Sequence, residues 1–185
     1  MNEKCNFRRK EAFAKAKAMV TNLMKPAKVI LICGLLCSGK STYAAELSKQ
    51  EKAPVLSCDA LMLAMFDERL GDDHERVSAK AQTYLFDLAV QHAKLGIPVI
   101  LDWGFWTKQS RGSANRFFAE HNIPVEWHFV EVTDEMWRHN IEKRNAARTP
   151  GTYYVDEGLM QKCLSRFEQP EPGEMDIWYQ NTMKE

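Results

Sequence analysis

Gly34-Leu35-Leu36-Cys37-Ser38-Gly39-Lys40-Ser41, entered from Val29-Ile30-Leu31-Ile32-Cys33, decides the fold. The five entering residues are apolar throughout and mostly β-branched or leucine, so they read as a strand buried on both faces. The octapeptide then supplies glycines at its first and sixth positions and closes on a lysine and a hydroxyl residue. Each has a phosphate-binding job. The glycines let backbone N–H groups turn inward around the β- and γ-phosphates of a nucleotide. Lys40 brings a compact positive charge to the same oxygens, and the Ser41 hydroxyl suits the shell of a Mg²⁺ ion. A helix starting near Lys40 aims its positive dipole end at the phosphates. Four fixed positions recur by chance in roughly one chain in a hundred of this length, and the required strand and helix are both present here. Gly34, Cys37, Ser38, Gly39, Lys40, Ser41 and Thr42 are therefore the expected nucleotide contacts, with Ser41 the expected metal ligand.

Outward from the loop, strands and helices alternate. Pro54 to Cys58 reads as a second strand with Asp59 at its end, and a helix begins at Ala60. Val77, Ala81, Tyr84, Leu85, Leu88, His92 and Leu95 form one helical stripe that Gly96 terminates. Ile97 to Leu101 is a third strand, closed by Asp102. Thr107 suits the cap of a helix running to about His121. Val125 to Val132 is a fourth strand, Thr133 or Asp134 caps the helix after it, and Asp156 caps a last one to Phe167. Ile177-Trp178-Tyr179 follows a Pro/Gly break as a candidate fifth strand. Apolar strands joined by helices predict a parallel sheet covered on both sides, with ligands at the carboxyl ends of its strands. The loop, Asp59 and Asp102 all fall there.

The 185 residues fit one domain, and 45% apolar with 27% charged residues is ordinary for a globular chain. The longest apolar run, Val29 to Cys37, is too short to span a bilayer, and no secretory signal is evident. The five cysteines include no Cys-x-x-Cys pair, which fits reduced thiols in a cytoplasm. Net charge is zero, yet residues 1–28 carry +6 and the remainder −6. The body therefore does not attract a polyanion. Within residues 1–27, Phe13, Ala16, Val20, Leu23 and Met24 repeat at helical spacing, with basic residues largely elsewhere. The segment reads either as a helix packed on the core with a solvated basic face, or as an arm toward an acidic surface.

Phosphoryl transfer needs positioning, charge neutralisation and a carboxylate near the acceptor hydroxyl. Asp59 is placed for that base role; it is equally suited to cap the helix beginning at Ala60. Asp102 stands where a carboxylate holds a Mg²⁺-bound water or the acceptor, or else is a turn residue. Arg144 and Arg148 are spaced i, i+4 at a helix C-terminus, which favours cations anyway. Functionally, Arg148 precedes a Pro/Gly-containing stretch that suits a lid over the triphosphate. Arg111 lies at a helix start, where a cation is unfavourable, which points to a substrate contact. Trp103, Phe105 and Trp106 are either core or a stacking platform at the rim, and Met62 and Met65 read as core. No Asn-Lys-x-Asp segment of the guanine-reading kind is present, which favours ATP. The histidines lack metal-ligand spacing.

Taken in order, Gly34-x-x-x-x-Gly39-Lys40-Ser41, Ser57-Cys58-Asp59, Leu101-Asp102 with Arg111 downstream, and Glu142-Lys143-Arg144-Asn145-x-x-Arg148 before Val155-Asp156 resemble the P-loop kinases of the phage polynucleotide 5′-kinase type. That group is close to zeta toxins and chloramphenicol phosphotransferases. The likeness covers roughly Val29 to Phe167. It implies a three-layer P-loop NTPase fold, with a mostly parallel sheet, helices on both faces and a small mobile lid at about residues 147–156. It further implies ATP with Mg²⁺, Asp59 as general base, Asp102 and Arg111 toward the acceptor, and Arg148 as lid arginine supported by Arg144. Polynucleotide kinases usually carry a basic residue soon after the strand-2 aspartate. Here Ala60 to Met65 are all apolar, which together with the −6 body favours a small-molecule acceptor over nucleic acid. The expectation is an ATP-dependent kinase acting on a hydroxyl of a small molecule. A polynucleotide 5′-hydroxyl kinase and a non-catalytic ATP-binding switch are the alternatives, and oligomeric state is left open.

Overall fold

The computed structural model describes residues 26–66, 70–147 and 153–182. Expectations for the N-terminal segment, for Arg148 and for most of the lid lie outside these residues. In chain order the elements are β1 (Val29–Cys33), α1 (Lys40–Glu51), β2 (Val55–Ser57), α2 (Cys58–Met65), a 3₁₀ turn (Gly71–Asp73), α3 (His74–Lys94), β3 (Val99–Asp102), α4 (Lys108–Glu120), β4 (Val125–Val132), α5 (Asp134–Ala147), α6 (Glu157–Arg166), a 3₁₀ turn (Pro172–Glu174) and β5 (Ile177–Asn181). The strands form one parallel sheet in the order β2-β3-β1-β4-β5. The chain first winds outward from β1 to β2 and back to β3, then crosses to β4 and β5. The direction of winding thus reverses around β1, and the carboxyl end of β1 opens into the crevice this creates.

Every residue of β1 is buried, because both sheet faces are covered there. Ile30 and Ile32 face α1 and pack with Ala44, Leu47, Ile100 and Val130. Val29, Leu31 and Cys33 face α3 and α4, where Leu85, Ala89, Ala93, Ala114 and Phe118 complete the larger core. Local signals agree with these elements. Thr107 caps α4 in a reciprocal pair with Ser110, Asp156 caps α6 through Leu159 N, and Gly96 (φ 79°) ends α3 in the left-handed region. Ile177–Asn181 does form the fifth strand.

Several expectations are corrected by packing. Ser57, not Asp59, caps α2: its hydroxyl accepts from Ala60 N at 3.3 Å, and Asp59 sits exposed in the first turn. Met62 is core as expected, but Met65 is 65% exposed. Trp103 and Phe105 are no rim platform. They are buried, stack on one another at 4.9 Å, and join Phe86, Phe118 and Trp127 in the core. Phe105 reaches this position through a left-handed backbone (φ 44°), a strain that burial of its ring offsets.

Arg111 is likewise not a cleft residue. It is 2% exposed; its Nη2 and Nε donate to the Glu174 carboxylate at 3.0 and 3.4 Å, and its Nη1 donates to Glu168 O and Phe105 O. Its cost at the start of α4 is offset by Glu168, whose carboxylate accepts from Lys108 N at 2.6 Å. Arg111 ties the chain before β5 to the loop after β3.

Burial would hold the Glu174 carboxyl up, but the Arg111 hydrogen bond and charge outweigh it, so Glu174 lies below its ordinary range. Stability from this pair is present above pH 4.5 and is lost as pH falls through the depressed value. Arg111→Ala leaves the carboxylate and two carbonyls without their shared donor and should cost about 3 kcal/mol, or on the order of 10 °C in Tm. Thermal melts from pH 3 to 7 should also show a shallower acid limb for the variant than for wild type.

Candidate phosphate-binding site

The loop from Gly34 to Gly39 is held from outside by its carbonyls. Leu35 O accepts from Lys40 Nζ at 2.6 Å and from Ser38 N at 3.1 Å. Leu36 O accepts from Trp137 Nε1 at 2.6 Å, Cys37 O from Asn140 Nδ2 at 2.9 Å, and Ser38 O from Asn181 Nδ2 at 2.8 Å. Gly39 O begins the α1 ladder by accepting from Tyr43 N. Five consecutive carbonyls therefore each have a partner, three of them supplied by α5 and β5. With the Leu36, Cys37 and Ser38 carbonyls turned to partners on α5 and β5, the loop can present N–H groups to its concave side, a nest for an anion. The N-terminus of α1 adds to this: no side chain caps it, and no acidic residue occupies its first turn.

Close approach fixes both glycines. A Cβ on Gly34 would lie 2.8 Å from both Ser38 Oγ and Val130 O. Gly39 has φ 97°, and a Cβ there would run into the Asn181 amide. Cys37 takes the left-handed region without being glycine (φ 59°), and Arg144 Nη1 lies 3.5 Å from its sulfur. Ser38 is fully buried in the loop, and its hydroxyl has no partner among the described residues. A buried unpaired hydroxyl inside a nest of amides fits a phosphate group and would be costly without one.

Three charged side chains of separate segments act on one another in this crevice. Burial lowers the Lys40 ammonium from its ordinary value, and the Asp102 and Asp59 carboxylates oppose that shift. Burial raises Asp102, a hydrogen bond from Ser41 and the charge of Lys40 lower it, and the Asp59 charge raises it further; the net direction is up. Lys40, Ser41, Asp59 and Asp102 are thus brought together. Asp102 is 6% exposed, whereas Asp59 is open to solvent, where an acceptor could reach it. Among the described residues no cluster of three His, Cys, Asp or Glu side chains is arranged to hold a metal alone. Ser41 and Asp102 would hold Mg²⁺ only together with phosphate oxygens and water, as is usual for that ion at nucleotide sites. Thr42 is exposed in the first turn of α1.

Trp137 and Asn140 are the supports that the sequence did not announce. With the expected Arg144 they stand at i, i+3 and i+7 on α5, the same stripe that buries Ile141, and that spacing was the available signal. Asn181 carried none, being 143 residues from the carbonyl it holds. At the end of α5, Asn145 clamps Val155 by two hydrogen bonds, at 2.8 and 3.0 Å, and so pins the stem of the expected lid. Beyond the ends of β4 and β5 lies a cavity of about 350 Å³ lined by Glu131, Asp134, Gln180 and Asn181 among others. Among the described residues no helix is long and apolar enough to cross a membrane.

No curated protein matches the chain. Among solved structures, a putative kinase from Chloroflexus aurantiacus superposes with a TM-score of 0.64 at 23% identity, over 84% of this chain and 87% of its own. The APS kinase of Mycobacterium tuberculosis, in complex with AMPPNP and APS, gives 0.63 at 19% over 86% and 91%. A sugar kinase from Janibacter sp. HTCC2649 gives 0.59 at 18% over 84% and 86%. These likenesses establish the α/β fold of P-loop nucleotide-binding proteins. Residues 29–170, from the first strand through the clamp and α6, match a family model described as AAA domain, and the chain belongs to that family.

Proposed function

We propose that the protein is an ATP-dependent phosphotransferase that moves the γ-phosphoryl group to a hydroxyl of a small-molecule acceptor. The observation that carries this reading is the outward-turned loop, whose amides, Lys40 and buried Ser38 hydroxyl form one anion nest beside two carboxylates. The triphosphate would lie along Gly34 to Thr42. Ser41 and Asp102 would hold Mg²⁺ there, and the ion would supply neutralisation of the phosphate charge. The burial of Asp102 at the end of β3, with the Ser41 hydroxyl and the Lys40 charge both favouring its ionised form, supports assigning Ser41 and Asp102 to the metal rather than Asp102 to the acceptor.

Asp59 is the general base. The acceptor hydroxyl gives its proton to the Asp59 carboxylate, its oxygen forms the new bond to γ-phosphorus, and the bond from γ-phosphorus to the bridging oxygen breaks to release ADP. Arg144, beside Cys37, and Arg148, one residue beyond α5, would carry the lid charge over the phosphates. The acceptor wall is α2. It bears no cation, and Met65 and Phe66 are exposed at its end, which supports an uncharged, partly apolar acceptor. Two of the neighbours, a sugar kinase and an APS kinase, are small-molecule kinases by name, in line with this, whereas another belongs to an RNA repair complex. Free thiols at Cys33, Cys37, Cys58 and Cys163 support a cytoplasmic setting.

The test is γ-phosphate transfer from labelled ATP to a panel of acceptors: 5′-hydroxyl oligonucleotides, nucleosides, sugars, aminoglycosides and amphenicols. Transfer to a small molecule supports the reading. Preference for oligonucleotides, steeply weakened by salt, would establish the nucleic-acid alternative instead. ATP binding without transfer to any acceptor would favour a switch. Lys40→Ala is the blank and should abolish turnover, since no other loop residue supplies its charge.

Asp59→Asn should lower transfer roughly 10²- to 10⁴-fold while leaving ATP affinity nearly unchanged by calorimetry. A loss of affinity with normal transfer would reassign Asp59 to the metal. Arg148→Ala should slow single-turnover transfer by roughly 10³-fold, and an unchanged rate would make it a helix-end cation only.

A further inference from the structure

The phosphate loop and the acceptor wall lie on different elements, and α6 reaches both. Its first half belongs with the loop: Leu159 and Met160 pack with Leu35, Leu36 and Cys37 around Trp137 and Ile141. Its second half turns toward Asp59. The Cys163 thiol is fully buried there, and it lies within the fields of Lys40, Cys37 and Asp59. The buried face of α6 therefore roofs the space between the phosphate loop and the Asp59 carboxylate.

Charge anchors this second half to the start of α3. Arg166 Nη1 donates to Glu75 Oε1 at 2.8 Å, and Lys162 Nζ lies 3.5 Å from the same oxygen. The two cations stand i, i+4 on α6, so one carboxylate collects both. A second contact joins the same regions. The ring of His74, next to Glu75, meets Tyr153 edge-on at 6.0 Å, two residues before the Val155 that Asn145 clamps. One turn further along α3, Ser78 Oγ lies 3.7 Å from the sulfur of Cys58, the residue before Asp59. The start of α3 thus links the Asp59 end of α2 to α6. We propose that Glu75 is a positioning residue for phosphoryl transfer: through Arg166 and Lys162 it holds α6 across the crevice and fixes the wall that faces Asp59 for the acceptor, a role that presupposes the phosphotransferase reading.

The Arg166 hydrogen bond and the two positive charges hold Glu75 below the ordinary carboxylate range, so the bridge is intact at neutral pH. All three side chains are half exposed or more. An exposed ion-pair network changes an opening equilibrium a few-fold rather than by orders of magnitude, and salt weakens it. That strength suits a wall that must part each time an acceptor enters and a product leaves. A wall held in place lowers the ordering cost of acceptor binding. Its loss therefore falls on the acceptor KM and not on the chemical step. The nucleotide is indifferent to it, because the loop carbonyls are held by α5 and β5.

Thiol labelling of the full chain without nucleotide reads the α6 wall directly. Burial pushes the Cys163 thiol up to about 11, so it reacts when α6 lifts. Iodoacetamide labelling of Cys163, read by peptide mass spectrometry, should be about three- to fivefold faster in Glu75→Gln than in wild type. Arg166→Gln should act in the same direction, and the double variant should be no faster than Glu75→Gln alone. Asp72→Asn removes a carboxylate from the same end of α3 and should leave the rate unchanged. Raising salt from roughly 20 mM to roughly 500 mM should speed Cys163 in wild type and not in Glu75→Gln. Cys33, buried in β1, is the reference for general unfolding and should keep its rate throughout. In the transfer assay, Glu75→Gln should raise the acceptor KM about three- to fivefold, with ATP KM and kcat within about twofold of wild type. An unchanged Cys163 rate in Glu75→Gln, additive effects in the double variant, or a fall in kcat at constant acceptor KM would overturn the proposal. Faster labelling in the variants, with no transfer by wild type to any acceptor, would overturn the role in transfer; the fault would then lie with the phosphotransferase reading and not with the bridge.

Discussion

A loop can hold a phosphate only if its carbonyls are kept out of the way. Each peptide unit carries one donor and one acceptor, and turning the donors inward commits the acceptors to the outside, where they need partners or water. In this protein the partners are side chains fixed on other elements: an indole and an amide from α5, an amide from β5, and the loop's own lysine. The cost of gathering so many donors around six residues is met by the sheet, which holds α5 and β5 in place through β4. The site is thus a property of the right half of the sheet as much as of the octapeptide.

The two carboxylates divide along the same lines. Asp102, buried at the end of a buried strand, has little room to move and an upward-shifted proton affinity. Asp59 is in the first turn of a helix that Ser57 already caps, so its oxygens are not engaged in local structure. One group is built for fixed contact with an ion, the other for contact with something that comes and goes. Their separation by one strand follows from the β3–β2 register, which pairs Asp102 with Ser57.

What the sequence made legible is what local chemistry decides. Strand apolarity, caps at Thr107 and Asp156, the glycine after α3 and the strand–loop–helix around Gly34 to Ser41 all depend on neighbours within a few positions, and these local structures stand as read. Misreadings came where distant residues change the sign of a local argument. Arg111 looked misplaced at a helix start because Glu168 and Glu174, 57 and 63 positions later, were invisible as its counter-charges. Of the two readings open for Trp103 and Phe105, core is the one the structure takes, with a left-handed backbone at Phe105. Met65 looked like core because α2 ends before a wall is there to cover it. Asn181 had no local pattern to betray it.

The bond from Asn181 to Ser38 spans 143 positions of the chain. Any ligand that needs the loop in its present shape must also favour the docked form of β5, by an amount set by its concentration over its dissociation constant. The outermost strand of the sheet, which has a neighbour on one side only, is thereby the region whose local opening a bound nucleotide suppresses most. An occupied loop and a sealed sheet margin are two readings of a single equilibrium.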